Sequence, residues 1–197
     1  DCTRSTVSGN LMTGNDAGFT IAGAKSDPEN RVAESNLVDD LPVIYHESES
    51  DLVIDNVPAS CIYLLNCTHT IVRNIHLETR NGFGIQVRGG SDLTISNSSV
   101  RGNLLQNILI AGTERGKIQE IVIAEGGYGL GLANVQDISV SGALIQNTSA
   151  GMVVTGDSGS VTVEWNTFRS NGIGFLAENA VSDAVGDLTA NLFEKGG

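Results

Sequence analysis

Three observations predict an all-β solenoid, a single-stranded right-handed parallel β-helix of about seven rungs. An alternating apolar pair recurs every 21–23 residues, the composition favours short strands and turns, and asparagine returns at fixed places within the repeat. Of the 197 residues, 40% are hydrophobic, mostly Val, Ile and Leu, and only 5% are aromatic. Gly, Asn, Ser and Thr together make up over a third of the chain, and strong helix formers are thin. Such a chain is apolar enough to fold, and it is punctuated by turn formers where a helix bundle would need long periodic runs.

Residues 1–41 read as the N-terminal end of the solenoid, with a cap, and residues 42–197 as the β-helix. Phe19 and Ile21 suggest one early strand pair. The polar stretch from Gly23 to Asp40, with Asp27-Pro28-Glu29-Asn30, suggests a surface excursion. The first regular coil opens near Val43 or Ile44, with Leu52, Ile54 and Asn56 at its +8, +10 and +12 places. The pairs Ile62-x-Leu64, Ile85-x-Val87, Ile108-x-Ile110, Leu130-x-Leu132, Met152-x-Val154 and Ile173-x-Phe175 follow at spacings of 23, 23, 22, 22 and 21.

A second apolar feature follows each pair, at Leu93 and Ile95, Ile118, Ile138 and Val140, and Val161 and Val163. A third falls at Leu77, Val100, Ile123, Ile145 and Phe168, and the last unit closes at Leu188, Asn191 and Phe193. Three short period-two stretches per unit mean three short strands. A rung of three strands cannot bury its apolar face alone, so rungs stack. The final Glu194-Lys195-Gly196-Gly197 is too short to act as a cap.

Asn56, Asn74, Asn97, Asn166 and Asn191 occupy related places in successive units and suggest an asparagine ladder along the stack. A second set, Asn81, Asn103, Asn147 and Asn171, precedes the next coil and suits its turn.

The run from Asn36 through Asp39-Asp40-Leu41-Pro42-Val43 to Tyr45 carries a family resemblance. So do Asp51-Leu-Val-Ile54 and the segment from Ile62 through Cys67 and Ile71 to Asn74. These residues resemble the NosD-type family of secreted β-helix proteins, frequent among exported archaeal proteins. That family is built of the repeats named for carbohydrate-binding proteins and sugar hydrolases, and the likeness extends at repeat level over residues 36–193. It implies the same fold, export after removal of a signal peptide, and an inward core thiol at Cys67. The chain starts at Asp1, and no charged-then-apolar leader is visible in it. The repeats serve many functions, so the resemblance implies no single activity.

A net charge of −12 argues against nucleic-acid and anionic-membrane partners, and no apolar run is long enough to insert into a bilayer. His46 heads the oxygen-rich His46-Glu-Ser-Glu-Ser-Asp51, which lacks the spacing of a calcium loop. His69 and His76 have no cysteine partner at zinc spacing. Among the acidic signatures of β-helix lyases and hydrolases only Asp39-Asp40 finds a match. Glu78, Arg80, Arg88 and Arg101 recur on neighbouring rungs and suggest a solvated charge ladder. Gly126-Gly-Tyr-Gly-Leu-Gly131 reads as a place where rungs approach closely. No catalytic residue, cofactor or metal site is expected.

Cys61 and Cys67 flank one strand, too far apart to bridge. Cys2 with Cys61 is then one arrangement, and three free thiols another. Asn66-Cys-Thr68, Asn97-Ser-Ser99 and Asn147-Thr-Ser149 match the glycosylation pattern, and Asn66 and Asn147 are the acceptors the turns would expose. The expected function is a non-enzymatic extracellular structural protein that self-associates in an envelope, sheath, surface coat or adhesin. A carbohydrate-binding module is the alternative, and a polysaccharide lyase or hydrolase the third reading. Sugar binding would be favoured if two or three of Tyr63, Phe83, Tyr128 and Trp165 lined one face.

Overall fold

The computed structural model describes residues 5–21, 31–78, 80–178 and 185–195. Every described element is a strand, and nearly every pairing is parallel. One sheet, here sheet I, stacks Leu41–Glu47, Cys61–Leu65, Phe83–Arg88, Gln106–Ala111, Tyr128–Ala133, Ala150–Thr155 and Ile173–Glu178. Sheet II stacks Val53–Asp55, Thr68–Arg73, the first halves of Ser91–Arg101 and Glu114–Ala124, then Gln136–Ser141, Gly159–Glu164 and Val185–Thr189. Sheet III contains His76–Leu77, the second halves of the two long strands, Leu144–Gln146, Thr167–Arg169 and Leu192–Glu194.

The apolar pairs predicted from sequence are hydrogen-bonded neighbours. Ile62, Ile85, Ile108, Leu130 and Met152 form one inward column of sheet I, and Leu64, Val87, Ile110, Leu132 and Val154 the next. Sheet II aligns Val72, Ile95, Ile118, Val140, Val163 and Leu188, and sheet III aligns Leu77, Val100, Ile123, Ile145, Phe168 and Phe193. These columns are the core, and most of their members are fully buried. At roughly 1.5–3 kcal/mol for each large side chain taken from water, they are the main favourable term of the fold.

One register departs from the expectation. Met152 pairs with Phe175, and Ile173 pairs one step earlier with Ala150. The apolar pair of the last unit is therefore Phe175-x-Ala177, two residues later than the pattern suggested. Ala177 is too small to stand out, and Ile173 at a strand start imitates an inward residue while remaining exposed.

The corners are smaller than the sequence implied. Twenty described non-glycine residues have positive φ, a conformation that few non-glycine residues adopt. They fall into columns. One contains Asn56, Asn74, Asn97, Glu120, Trp165 and Ala190, with Gly142 in its fifth place. Another contains Asp51, His69, Asp92, Arg115, Asp137 and Ser160. A third, Asn66, Gly89, Gly112, Asn134 and Gly156, ends the strands of sheet I, and a fourth is Gly102, Glu125, Asn147 and Ser170. Between sheet II and sheet III a single left-handed residue rotates the chain enough to pass from one to the other. Ser91–Arg101 and Glu114–Ala124 accordingly run through Asn97 and Glu120 as continuous strands.

The N-terminal segment has a different arrangement from a surface excursion with a simple end cap. Thr6–Val7 pairs with Arg31–Val32 and Leu11–Met12 with Leu37–Val38, so these strands form a small stack of their own. Leu37–Val38 then joins Leu41–Glu47 in the described antiparallel pairing, through Asp39 and Asp40 at φ 48° and 65°. Two consecutive left-handed residues are the mark of a type I′ hairpin. Residues 18–21 cross the outer face of sheet I. Phe19 meets Tyr63 edge to face at 5.7 Å, the Tyr63 hydroxyl donates to the Phe19 carbonyl, and Asn81 Oδ1 accepts from the Phe19 N–H. A second apolar cluster forms there from Val38, Val43, Cys61, Tyr63 and Leu65. Gly23–Arg31 falls almost wholly outside the described residues.

Candidate functional site

At the glycine-rich turn the rungs leave no room for side chains between them. A Cβ on Gly126 would lie 2.2 Å from the Asn103 carbonyl oxygen, and one on Gly127 2.4 Å from those of Leu104 and Leu105. Rungs meet there backbone to backbone, as the sequence suggested. A shallow opening of about 290 Å³ lies instead against sheet II, lined by Asp92, Thr94, Arg115, Lys117, Asp137 and Ser139, with backbone at its floor.

Its chemistry follows from register. Thr94, Lys117 and Ser139 are partners on consecutive rungs and point outward between the inward columns. Asp92, Arg115 and Asp137 are the left-handed corner residues of the same three rungs. Arg115 Nε and Nη2 donate to the two carboxylate oxygens of Asp92 at 2.9 and 3.0 Å. His69 Nε2 lies 3.7 Å from Asp92 Oδ2 on the other side. The Arg115 guanidinium, the Ser91 hydroxyl and His69 together hold the Asp92 carboxyl down to about 2, and Asp92 in turn raises Arg115. A carboxylate so firmly ionised is a poor proton donor near neutral pH. The cluster is built to hold charge in place and to offer hydroxyl and ammonium groups to a solute. The sequence carries a signal for it: His69, Asp92, Arg115 and Asp137 are ionisable residues at spacings of 23, 23 and 22. Glu78, Arg80, Arg88 and Arg101 recur at similar spacings in the sequence.

Those four do not form one ladder. Arg101 Nε lies 3.4 Å from Glu78, one rung away. Arg88 is half-buried at the end of a sheet I strand, and with the Gln86 amide turned to donate to the Ile21 carbonyl, Gln86 accepts from Arg88. Arg80 is engaged through its carbonyl, which accepts from Gly18. Asp39-Asp40 forms the hairpin already described, where Asp39 Oδ1 accepts from the Gly14 N–H. His46 Nδ1 meets Glu49 at 3.0 Å, and His76 Nδ1 meets the Ser99 hydroxyl. No group of three or more His, Cys, Asp or Glu among the described residues is arranged to hold a metal ion.

The five asparagines divide into two columns. Asn56, Asn74 and Asn97 are left-handed corner residues, and Asn97 Nδ2 donates to Asn74 Oδ1 at 2.6 Å. Asn97 is exposed, so its side chain is not interior. Asn166 and Asn191 lie one place further on, facing inward. Asn166 Nδ2 donates to Asn191 Oδ1, and Asn166 Oδ1 accepts from the Ala143 N–H. The second set divides in the same way. Asn81 and Asn103 are buried and bonded rung to rung, Asn171 Oδ1 accepts from Thr148 on the preceding rung, and Asn147 is an exposed corner.

Asn66 is also an exposed corner residue. Cys61 and Cys67 are buried free thiols in the outer and inner clusters respectively. Burial pushes the Cys61 thiol up to about 12 and raises Cys67 as well. Cys2, the suggested partner of Cys61, lies outside the described residues. Tyr63 and Phe83 are buried, whereas Tyr128 opens a sheet I strand and Trp165 is a corner after sheet II. Phe83 and Tyr128 occupy one register column of sheet I two rungs apart, and of the two only Tyr128 is exposed.

Residues 43–187 match the family model described as "Right handed beta helix region". The chain belongs to the right-handed β-helix family. The match begins in the first coil of sheet I and ends within the last described strand of sheet II, so this β-helix carries its N-terminal stack outside the matched region. A search of the curated proteins finds no match.

Proposed function

We propose that this β-helix is a non-enzymatic structural protein, exported in the manner of the NosD-type proteins it resembles, and a self-associating subunit of a cell-surface layer, sheath or adhesin. The observation that carries the reading lies on the side of the stack, where Val53 and Ile71 are register partners on adjacent strands of sheet II and both are exposed. Exposed apolar side chains on a polar surface favour contact with another chain, and most soluble assemblies join copies of one chain.

Sedimentation velocity over a concentration series tests this. The expected result is association that strengthens with added salt. The net charge of −12 opposes contact between copies, and its range shrinks from about 10 Å at 0.1 M salt to about 3 Å at 1 M. Val53→Glu should return the chain to monomer. A wild-type protein that stays monomeric at high concentration in both salts would overturn the reading.

The opening beside Lys117 favours a second reading, a carbohydrate-binding module. Saturable binding to a neutral or acidic glycan by calorimetry, lost in Lys117→Ala, would support it.

A further inference from the structure

Three acceptor motifs for asparagine-linked sugar lie on corners of the solenoid, and their surroundings differ. In Asn97-Ser98-Ser99 all three residues belong to one uninterrupted strand. The Asn97 amide nitrogen is bonded to Asn74 Oδ1, and the Ser99 hydroxyl is bonded to His76 Nδ1 on the preceding rung. In Asn66-Cys67-Thr68 the Asn66 amide is packed on Gly89, where a Cβ would lie 2.2 Å from Asn66 Oδ1. Thr68 already opens a strand, with its N–H bonded to Glu49.

Asn147-Thr148-Ser149 is built differently. It lies between Leu144–Gln146 and Ala150–Thr155, so none of its residues is in a strand. Asn147 and Ser149 are exposed, while Thr148 is buried and holds the bend in place through Asn171. The amide to be modified and the hydroxyl that identifies it face solvent together, on a rigid support.

The same corner has a second unexplained feature. Leu104, Leu105, Tyr128 and Ile173 are exposed, at 47, 53, 46 and 47%. They lie just past the left-handed residues Gly102, Glu125 and Ser170, which share a column with Asn147. The 147–149 bend lies between two of these rungs. Ser149 N–H donates to the Gly127 carbonyl on one side, and Ile173 N–H donates to the Ser149 carbonyl on the other. Exposed apolar residues clustered on a polar surface mark a place where something is bound, and the C–H faces of sugar rings suit the Tyr128 ring.

We infer that Asn147 is the residue of the folded chain that receives an N-linked oligosaccharide, and that the sugar lies along and shields the Leu104–Tyr128–Ile173 corner. The inference rests on the export proposed above. The donor class is an oligosaccharide joined through its anomeric carbon to a polyprenyl phosphate or pyrophosphate. The bond from that carbon to the phosphate oxygen breaks as its bond to Asn147 Nδ2 forms. Nδ2 gives up a proton, and the lipid phosphate leaves.

The test incubates purified protein with a single-subunit oligosaccharyltransferase and a lipid-linked oligosaccharide donor, and maps sites by peptide mass spectrometry. It requires no association between copies, so its outcome is separate from that of the sedimentation experiment. The folded protein should be modified at Asn147 and blank at Asn97 and Asn66, and the urea-unfolded chain should be modified at all three. Asn147→Gln should leave the folded protein unmodified while keeping its fluorescence spectrum. The modified protein should bind less of an apolar fluorescent dye than the unmodified one. A folded chain blank at Asn147, or modified faster at Asn66 or Asn97, would overturn the site assignment. Unchanged dye binding would overturn the shielding.

Discussion

Replacing Asn166 with leucine removes the best-connected side chain of the inward asparagine column while keeping the number and branching of its heavy atoms. Asn166 is 1% exposed. Its oxygen accepts from the Ala143 N–H at 2.9 Å, and its nitrogen serves the carbonyls of Val140 and Glu164 and Asn191 Oδ1, each at 3.0 Å. Ala143 is itself buried, so no water replaces the lost partner of its N–H. A buried donor left without a partner costs about 1–3 kcal/mol, and each of the two bonds that the hydrogens of Nδ2 share among those acceptors about 1, which places Asn166→Leu at about 3–5 kcal/mol. The contrast is Asn97→Ala in the outer column. There one exposed bond and some left-handed preference are lost, for about 1 kcal/mol. The assay is urea unfolding followed by fluorescence of Trp165, the single tryptophan and the neighbour of Asn166 in the chain. Far-UV circular dichroism alongside detects rungs that melt separately, since solenoid units couple mainly to their neighbours. A loss below about 1 kcal/mol for Asn166→Leu, or one no larger than for Asn97→Ala, would refute the distinction between the two columns.

The Asp92 carboxyl, held near 2 by Arg115, gives a pH prediction. Because its folded value lies below the ordinary one, its stabilising effect is present above about pH 4 and fades as pH falls toward 2. Carbon-detected NMR titration should show Asp92 moving up toward the ordinary carboxylate value in Arg115→Ala, and an unmoved titration would count against the ion pair. For the thiols, a disulfide reagent at pH 8 should leave Cys61 and Cys67 unmodified in the native protein and label both in urea. Fast native labelling of either would contradict their burial.

The columns of the solenoid were legible because period and burial coincide. Ile62, Ile85, Ile108, Leu130 and Met152 are large, inward and evenly spaced, so sequence alone puts them in register. The pattern failed at Ile173, where an exposed residue is apolar and its inward counterpart is small. Corners were harder to read. A corner asks only that one backbone residue accept positive φ, and Asn97, Glu120, Gly142 and Trp165 all meet that demand with different side chains. Asn166 was grouped with Asn97 because one position along the chain separates the outer column from the inner, and a count of spacings does not resolve that step. The N-terminal stack escaped because its four strands are two residues long, too short to show alternation. The charged cluster at Asp92 and Arg115 was missed for a related reason. Charges recur near repeat spacing at Glu78 and Arg101 as well, and nothing in the sequence says which residues of a 23-residue unit form a corner.

The one-residue corners also set how the molecule responds to being pulled. A coil of some 23 residues, such as that from Ile62 to Ile85, adds only about 4.8 Å to the stack yet contains about 75 Å of extended chain. With no slack loops at the corners passing from sheet II to sheet III, tension on a detached end acts directly on the ladder of the next rung. The strands then part a coil at a time. A fibre of such units lengthens by more than ten times the height of each rung it gives up, and every rung must be broken before the next bears the load.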